Sequence, residues 1–551
     1  MGTLRFTRFL FLCIIAVTAA YAQSQAITAT PTRQLKRLYI ADTEAKVLAL
    51  QPAPTDESVV VQGVEVLATK EFAAFIAAFI GQPITAELLN RLASEIGIYM
   101  QKHDRPVVSL QIPSQSIATG EFRIVVTVGR YNQLKFTGNR WFSRELLESK
   151  LGIKPGDEIR LSTLEEAVNW SNTNPFRHIQ VVLNNLPTQT AARELVILTQ
   201  ERIPVRVAAV YDNTGTALLG ENHYSAALQL GNVWGQDHQL SYQFTTTDQS
   251  SVFQSHSADY RVPLPWRHYL QATTAYGFQR PSFEDGLFSL KGESSVADLR
   301  YIVPLERGAW SHEFSLGLDF KRTNNNLEFG GWQVFGSKSD TWQVTVGSTT
   351  VHRDTSGSWA VSLNLNASPG GINVRNTDEA LSQVRYGAKA RYLAGSLLVQ
   401  RFTRLPAGFQ LFSRGQLQCS STNLIGNEQL SIGGQGSVRG YDERIFSGDQ
   451  GWVLSNECQS PSLNKALSSS PKKYPPLQTR FLVFWDYARV AYKHRFFSDI
   501  KLDPLMSVGI GVRCNLATNF SLSADYGWQL LKTTRPQPTH GRGHIRATIA
   551  Y

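Results

Sequence analysis

The chain ends in a strict alternation. Ile545, Ala547, Ile549 and Tyr551 share one parity, and His544, Arg546 and Thr548 share the other. That is a strand with one apolar and one polar face. The same rhythm fills everything after Pro204, 348 residues (551 − 203) without helical periodicity. Leu240, Tyr242 and Phe244 alternate with Ser241, Gln243 and Thr245. Phe314, Leu316, Leu318 and Phe320 alternate with Ser315, Gly317, Asp319 and Lys321. Trp359, Val361, Leu363 and Leu365 alternate with Ser362, Asn364 and Asn366, and Phe520, Leu522, Ala524, Tyr526 and Trp528 with Ser521, Ser523 and Asp525. About sixteen runs can be counted, from near residue 205 to near residue 541, three of them starting near residues 294, 311 and 340. Each is about 9–11 residues long, the length a tilted strand needs to cross the hydrocarbon layer. The pattern predicts a mainly β protein whose residues 203–551 form an antiparallel transmembrane β-barrel of about sixteen strands. The soluble alternative, a large sandwich or propeller, needs an interior for every apolar face. Here the aromatics recur at strand ends, like interface girdles.

Upstream the period changes. Residues 58–202 read as two small α/β modules, each in the order βααββ. The first, 58–130, opens with Val59-Val60-Val61 and continues with helical runs at Glu71–Ile80 and Ala86–Gln101. It closes with strand-like runs at Val107–Ile112 and Phe122–Val128. The second, 131–202, repeats that order with a strand at Gln133–Thr137, helices at Arg144–Leu151 and Thr163–Trp170, and strands at Ile179–Asn184 and Glu194–Thr199. One irregular domain is the alternative, and the turn signals at Gly129 and Gly138-Asn139 favour two. Residues 23–57 are polar and broken by Pro31, Pro52 and Pro54, with Leu35 to Leu50 patterned for one short helix. Residues 1–22 read as a secretory signal: Arg5 and Arg8, an apolar core from Phe9 to Val17, and Ala20-Tyr21-Ala22 before Gln23. An N-terminal anchor is the alternative, for which the core is short.

Composition changes little in this picture. A hydrophobic content of 42% suggests a soluble chain. A barrel gives the same average, because half of each strand faces a wet lumen. The formal charge of +10 falls to +8 (10 − 2) once Arg5 and Arg8 leave with the signal. This mild excess suits an anionic lipid surface or an acidic client. No nucleic-acid module is legible. Of the four cysteines, Cys13 goes with the signal, leaving Cys419, Cys458 and Cys514. Cys419 and Cys458 fall on neighbouring strand-like runs, either as a cross-strand disulfide or as two inert thiols. No metal spacing, nucleophile elbow or phosphate loop occurs, so neither a cofactor nor an enzyme is expected. His178 reads as a surface histidine.

One stretch breaks the rhythm. Residues 420–449 form a long loop containing Gly433, Gly434, Gly436 and Gly440, with Arg439 inside Ser437-Val438-Arg439-Gly440-Tyr441. A guanidinium inside a barrel needs a carboxylate. In the run Arg480 to Tyr487, Phe481, Val483, Trp485 and Tyr487 form an apolar outward parity, which turns Phe484 and Asp486 inward. Spacing leaves two arrangements open: Arg439 latched to Asp486, or Asp486 paired with Arg480 beneath an exposed loop.

These residues carry a resemblance. Gly433-Gly434 with Ser437-Val438-Arg439-Gly440-Tyr441, and Phe484-Trp485-Asp486, resemble marks of the two-partner secretion transporters, the haemolysin secretion/activation family of outer-membrane proteins. Asn174-Pro175-Phe176-Arg177, Tyr211-Asp212-Asn213-Thr214-Gly215, and Pro113-Ser114-Gln115 followed by Gly120 resemble further family signatures. The resemblance spans nearly the whole mature chain. It implies that the modules are polypeptide-transport-associated (POTRA) domains in the periplasm, and that Arg439 meets Asp486 in the lumen. It also implies a large secreted client protein as partner, with Asn174, Pro175, Phe176 and Arg177 as a candidate contact. Ile545, Ala547, Ile549 and Tyr551 are the expected handle for the barrel-assembly machinery, and outer-membrane lipid and a monomeric state are expected as well. Two departures stand out. Asp104-Arg105-Pro106 replaces a frequent Gly-Tyr, and a pore-plugging helix is only faintly suggested by Leu35 to Leu50. A barrel-assembly factor and a passive porin are the competing readings.

Overall fold

The computed structural model describes residues 33–50, 57–186, 189–283, 288–329, 332–465, 477–497, 499–535, 537 and 540–551. The expected signal, 1–22, and residues 23–32 and 51–56 of the stretch after it lie outside these. The chain divides into two compact units at Ile203/Pro204.

In the first unit, hydroxyl caps start the helices. Thr69, Thr85 and Ser143 accept the Phe72, Leu88 and Leu146 N–H groups and so open α2 (Lys70–Ile76), α3 (Ala86–Lys102) and α4 (Arg144–Leu151). Gly152, at φ 66°, ends α4 in the left-handed conformation. Leu88, Leu92, Ile96 and Tyr99 form the buried stripe of α3.

The first module has the expected βααββ order over 58–130 and gains an extra strand and helix from the segment before it. Leu35 to Leu50 does not make one helix: it forms the strand β1 (Arg37–Ala41) and then the short helix α1 (Glu44–Ala49). The sheet runs β2-β1-β4-β3, with β2 (Val59–Gln62), β3 (Val108–Gln111) and β4 (Glu121–Val128). Strand β1 pairs in parallel with both β2 and β4. The reason is visible in Leu38-Tyr39-Ile40-Ala41, a contiguous apolar run that suits a strand buried on both faces. Leu38 and Ile40 enter the core beneath α2 and α3, while Tyr39 and Ala41 pack with Val47 of α1 on the other side.

The second module has the expected βααββ order: β5 (Arg130–Thr137), α4, α5 (Leu161–Ser171), β6 (Arg177–Leu186) and β7 (Gln189–Glu201). Its sheet is β5-β7-β6, with β5 parallel to β7. Asp104 and Arg105 join the modules. Asp104 adopts φ 69° and accepts the Ser162 N–H at 2.7 Å and the Ser162 hydroxyl at 2.5 Å, while Arg105 pairs with Glu158 at 2.9 Å.

The second unit is a closed antiparallel barrel of sixteen strands, from Val205–Asp212 to Gly541–Ala550. Phe314, Leu316 and Leu318 point outward, as do Trp359, Leu363, Leu365, Tyr526, Trp528, Ile545 and Ile549. The alternate residues face the lumen. Three strands, Phe288–Arg307, Trp310–Phe329 and Trp332–Arg353, run 20, 20 and 22 residues, about twice the expected span. The first and last strands close the barrel over five residue pairs, Ala208–Asp212 with Arg546–Ala550. Cys419 and Cys458 are both free. They lie near opposite ends of adjacent strands, since Gln418 faces Gly451 while Leu411 faces Cys458. That leaves roughly 25 Å between them, far outside disulfide reach. No described helix is long and apolar enough to cross a membrane, which says nothing of a barrel.

Candidate functional site: a loop fastened inside the barrel

The stretch between the eleventh barrel strand (Gln410–Ser420) and the twelfth (Gln450–Gln459) folds back into the lumen. A short hairpin, Leu430–Ile432 with Phe446–Gly448, forms its stem, and Gly433 to Ile445 form its tip. Gly440 sits at φ 92°, and a Cβ there would lie 2.6 Å from the Gly527 carbonyl oxygen of the wall. Only glycine tolerates both the conformation and the approach. The Gly440 N–H donates to His544 Nε2 at 3.1 Å, and Gln529 donates to the Gly440 carbonyl at 2.7 Å.

That contact delivers Arg439 to its partners. Arg439 Nε donates to Asp486 Oδ2 at 2.8 Å, Nη2 to Oδ1 at 3.0 Å, and the backbone N–H to Oδ2 at 3.1 Å. Its Nη1 donates to Glu457 at 2.8 Å, and the guanidinium lies 3.5 Å from the Phe484 ring centroid. Ser455 donates to Asp486 at 2.6 Å. Arg513 then bridges Glu457 at 2.9 Å and Asp525 at 2.7 Å. Arg439 from the loop and Arg513 from the wall thus alternate with three carboxylates, and the four wall residues lie on four neighbouring strands. Arg439 is 6% exposed and Asp486 0%. Buried charges persist only when paired and hydrogen-bonded in this way. Arg480 instead donates to the Ser460 carbonyl at 2.7 Å.

Val438 and Tyr441 are also buried, and the Tyr441 hydroxyl lies 2.7 Å from the Leu531 carbonyl oxygen. Gly433 and Gly434 take φ 104° and 88° at the start of the tip. A second contact lies far around the wall, where Glu428 pairs with Lys321 at 2.8 Å and accepts from Gln343 at 2.8 Å.

Asp319, Lys321, Asp525 and His544 were legible as lumen-facing by parity. Glu457, Arg513 and Glu428 were missed as partners, because a two-residue period tells which face a charge takes and not which charge it meets.

Asn174-Pro175-Phe176-Arg177 sits inside the second module. Asn174 is fully buried and its side chain accepts the Phe176 N–H at 3.0 Å. Phe176 enters the core, and Arg177 donates to the Ser171 carbonyl at 2.8 Å. Asn174, Phe176 and Arg177 hold the turn between α5 and β6, and of the four residues only Pro175 is exposed. On the last strand, Ile545, Ile549 and Tyr551 are exposed and Ala547 is half-buried.

A sixteen-stranded barrel with a charged loop fastened in its lumen, preceded by two α/β modules, defines an outer-membrane transporter of polypeptides rather than a simple pore. Residues 193–514, more than half of the chain, match the family model for haemolysin secretion/activation proteins ShlB/FhaC/HecB. Residues 56–129 match that for the ShlB-type POTRA domain. The outer membrane transporter CdiB of Dickeya dadantii is 21% identical over 403 residues, 71% of this chain and 69% of the relative. The hemolysin transporter protein ShlB of Serratia marcescens is 24% identical over 417 residues, 72% and 70% respectively. The solved structure of CdiB from Escherichia coli superimposes with a TM-score of 0.72 at 16% identity, covering 96% of this chain and 92% of that one. The chain belongs to the haemolysin secretion/activation family. It is an outer-membrane transporter of two-partner secretion, with its N-terminal modules in the periplasm.

Proposed function

We propose that a secreted client protein docks in extended form on the second module and leaves through the barrel lumen once the Arg439 loop moves. The edge of β5 from Gln133 onward, past the bridge of Arg130 with Glu158, supports the docking step. A cleft of about 1070 Å³ runs between β5 and α4, floored by Leu134, Phe136 and Ile153 and walled by Arg144, Glu145 and Glu148. The Glu145 carboxyl is held below the ordinary range by its own backbone N–H and Ser143, so it is charged in the periplasm. In the first module the equivalent edge, that of β1, already carries the parallel strand β2. The second module can take the same kind of strand from another chain. Outward aromatics contact lipid, the barrel works as a monomer, and the last strand engages the assembly machinery.

The observation that carries the gating role is the burial of Arg439 against Asp486. Arg439→Ala leaves Asp486 buried without its cation while Arg513 still holds Glu457 and Asp525, a local cost of about 3–5 kcal/mol. The tip should release, giving more frequent brief openings than the parent in planar bilayers. The exchange Arg439→Asp with Asp486→Arg should restore closure only in part, because Glu457 and Asp525 still oppose a negative charge at position 439. An Arg439→Ala barrel as closed as the parent would contradict the latch. Deleting residues 33–202 should abolish export while the barrel still migrates as a heat-modifiable species, and continued secretion would refute the docking role.

A further inference from the structure

Strands cross in alternation from the periplasmic side, so the loops after the ninth, eleventh and thirteenth barrel strands are extracellular. These loops, 369–391, 421–449 and 492–504, meet at one fully buried carboxylate, Asp449. Its Oδ1 accepts from Leu424 N–H at 2.9 Å, Gln429 Nε2 at 2.9 Å and Arg385 Nη1 at 2.6 Å. Its Oδ2 accepts from Lys493 N–H at 2.9 Å and Arg385 Nη2 at 3.3 Å. Arg385 also donates to the Leu424 carbonyl at 2.5 Å and lies 4.8 Å from the Tyr492 ring centroid. Around this hub, Asn423 exchanges side-chain hydrogen bonds with the His494 backbone at 2.8 and 2.7 Å. Ala388 bridges Asn423, and Tyr386 meets Phe496 edge to face at 4.8 Å.

Leu424 and Asp449 are the two sides of the neck of the lumen loop, where it leaves the wall and where it returns. Arg439 holds the tip. We propose that Asp449 and Arg385 form a second fastening, a clasp at the neck tying the lumen loop to both neighbouring extracellular loops, and that opening the pore needs its release as well as that of Arg439. A loop freed only at the tip still hangs from a fixed neck and moves little. A loop freed only at the neck is still held at its tip and opens the pore only briefly. The two positions therefore couple more than additively.

The inference rests on the proposed route through the lumen, and the test separates the two. In planar bilayers, Arg385→Ala should raise the open fraction about tenfold, the effect of ~1.4 kcal/mol of lost bias. Arg385→Lys, which keeps one charged contact, should fall between it and the parent. Arg385→Ala combined with Arg439→Ala should give a steady conductance beyond the sum of the two. Parental behaviour of Arg385→Ala in a heat-modifiable barrel overturns the clasp. As a second arm, Ala388→Cys with Asn423→Cys joins residues already in β-bridge contact, within disulfide reach. Oxidation of that pair should silence the openings of Arg439→Ala, and reduction should restore them. Openings that survive oxidation also overturn the clasp. If oxidation silences conductance while export continues, the clasp stands and the route through the lumen falls.

Discussion

The two N-terminal modules share a chain order and finish their sheets differently. In the first, β1 lies between β2 and β4, and α1 covers the face opposite α2 and α3. In the second, β5 is an edge strand, and Val182 and Leu198 stand exposed on the corresponding face. The first module completes its sheet with its own N-terminal segment. The second leaves a face and most of an edge, from Gln133 onward, open. Sheet edges carry unpaired backbone groups and are normally protected, so an open one beside a cleft is a place where function rather than stability sets the design.

The comparison breaks most severely if the N-terminal segment is removed. Leu35, Leu38, Tyr39 and Ile40 are each 0% exposed. Their burial contributes of order 10 kcal/mol, comparable with the whole stability of a domain. Deleting residues 33–50 should unfold the first module even though the family model begins at residue 56. Hydrogen exchange should show protection lost over 57–128 and kept in the barrel. A first module still protected would mean that β1 is dispensable. Filling the cleft tests the other half. Ser149 is exposed on α4 and lines it. Ser149→Trp should cut export about tenfold or more with both modules folded, whereas Glu165→Trp, on the exposed side of α5, should not. Equal export by both variants would remove the β5 edge from the docking path.

The barrel was the legible part. Period-two runs placed its first and last strands because every lumen-facing residue there is flanked by outward apolar ones. The runs near 294, 311 and 340 marked strands that in fact begin at Phe288, Trp310 and Trp332 and are twice as long. Their outer halves, such as Thr323-Asn324-Asn325-Asn326, are polar on both parities and carry no alternation to read. The site was half legible. Glycines flanking an arginine announced a buried turn, and the parity of Arg480 to Tyr487 placed Asp486 inward. The partners Glu457 and Arg513 come from strand register, which depends on how the barrel closes. Strand β1 differs from the expected helix for a related reason: four apolar residues fit a helix face and a central strand equally well, and only the sheet it completes decides between them.

Smaller effects probe the joint between the modules. Asp104 caps the first turn of α5 from the neighbouring module, and α5 has no side-chain cap of its own at Arg160. Asp104→Gly keeps the left-handed backbone and loses the cap, so it should destabilise the joint by about 0.5–2 kcal/mol, while Asp104→Asn should cost less. Proteolysis near residue 104 reads the difference, and equal resistance in all three proteins would show the cap to be idle. The smallest effect is a titration. Burial, and then Asp157 and Asp104, push the Tyr131 hydroxyl up from 10.0 to about 12. The unfolded chain loses this proton first. The stabilisation from keeping Tyr131 neutral is therefore complete below pH 10 and disappears as pH rises through about 12. The difference in tyrosinate absorbance between the parent and Tyr131→Phe should rise with a midpoint near 12. Asp104→Gly removes one of the two acids and should lower that midpoint slightly. A midpoint at the ordinary tyrosine value in both would mean that water reaches Tyr131 and that the joint is open.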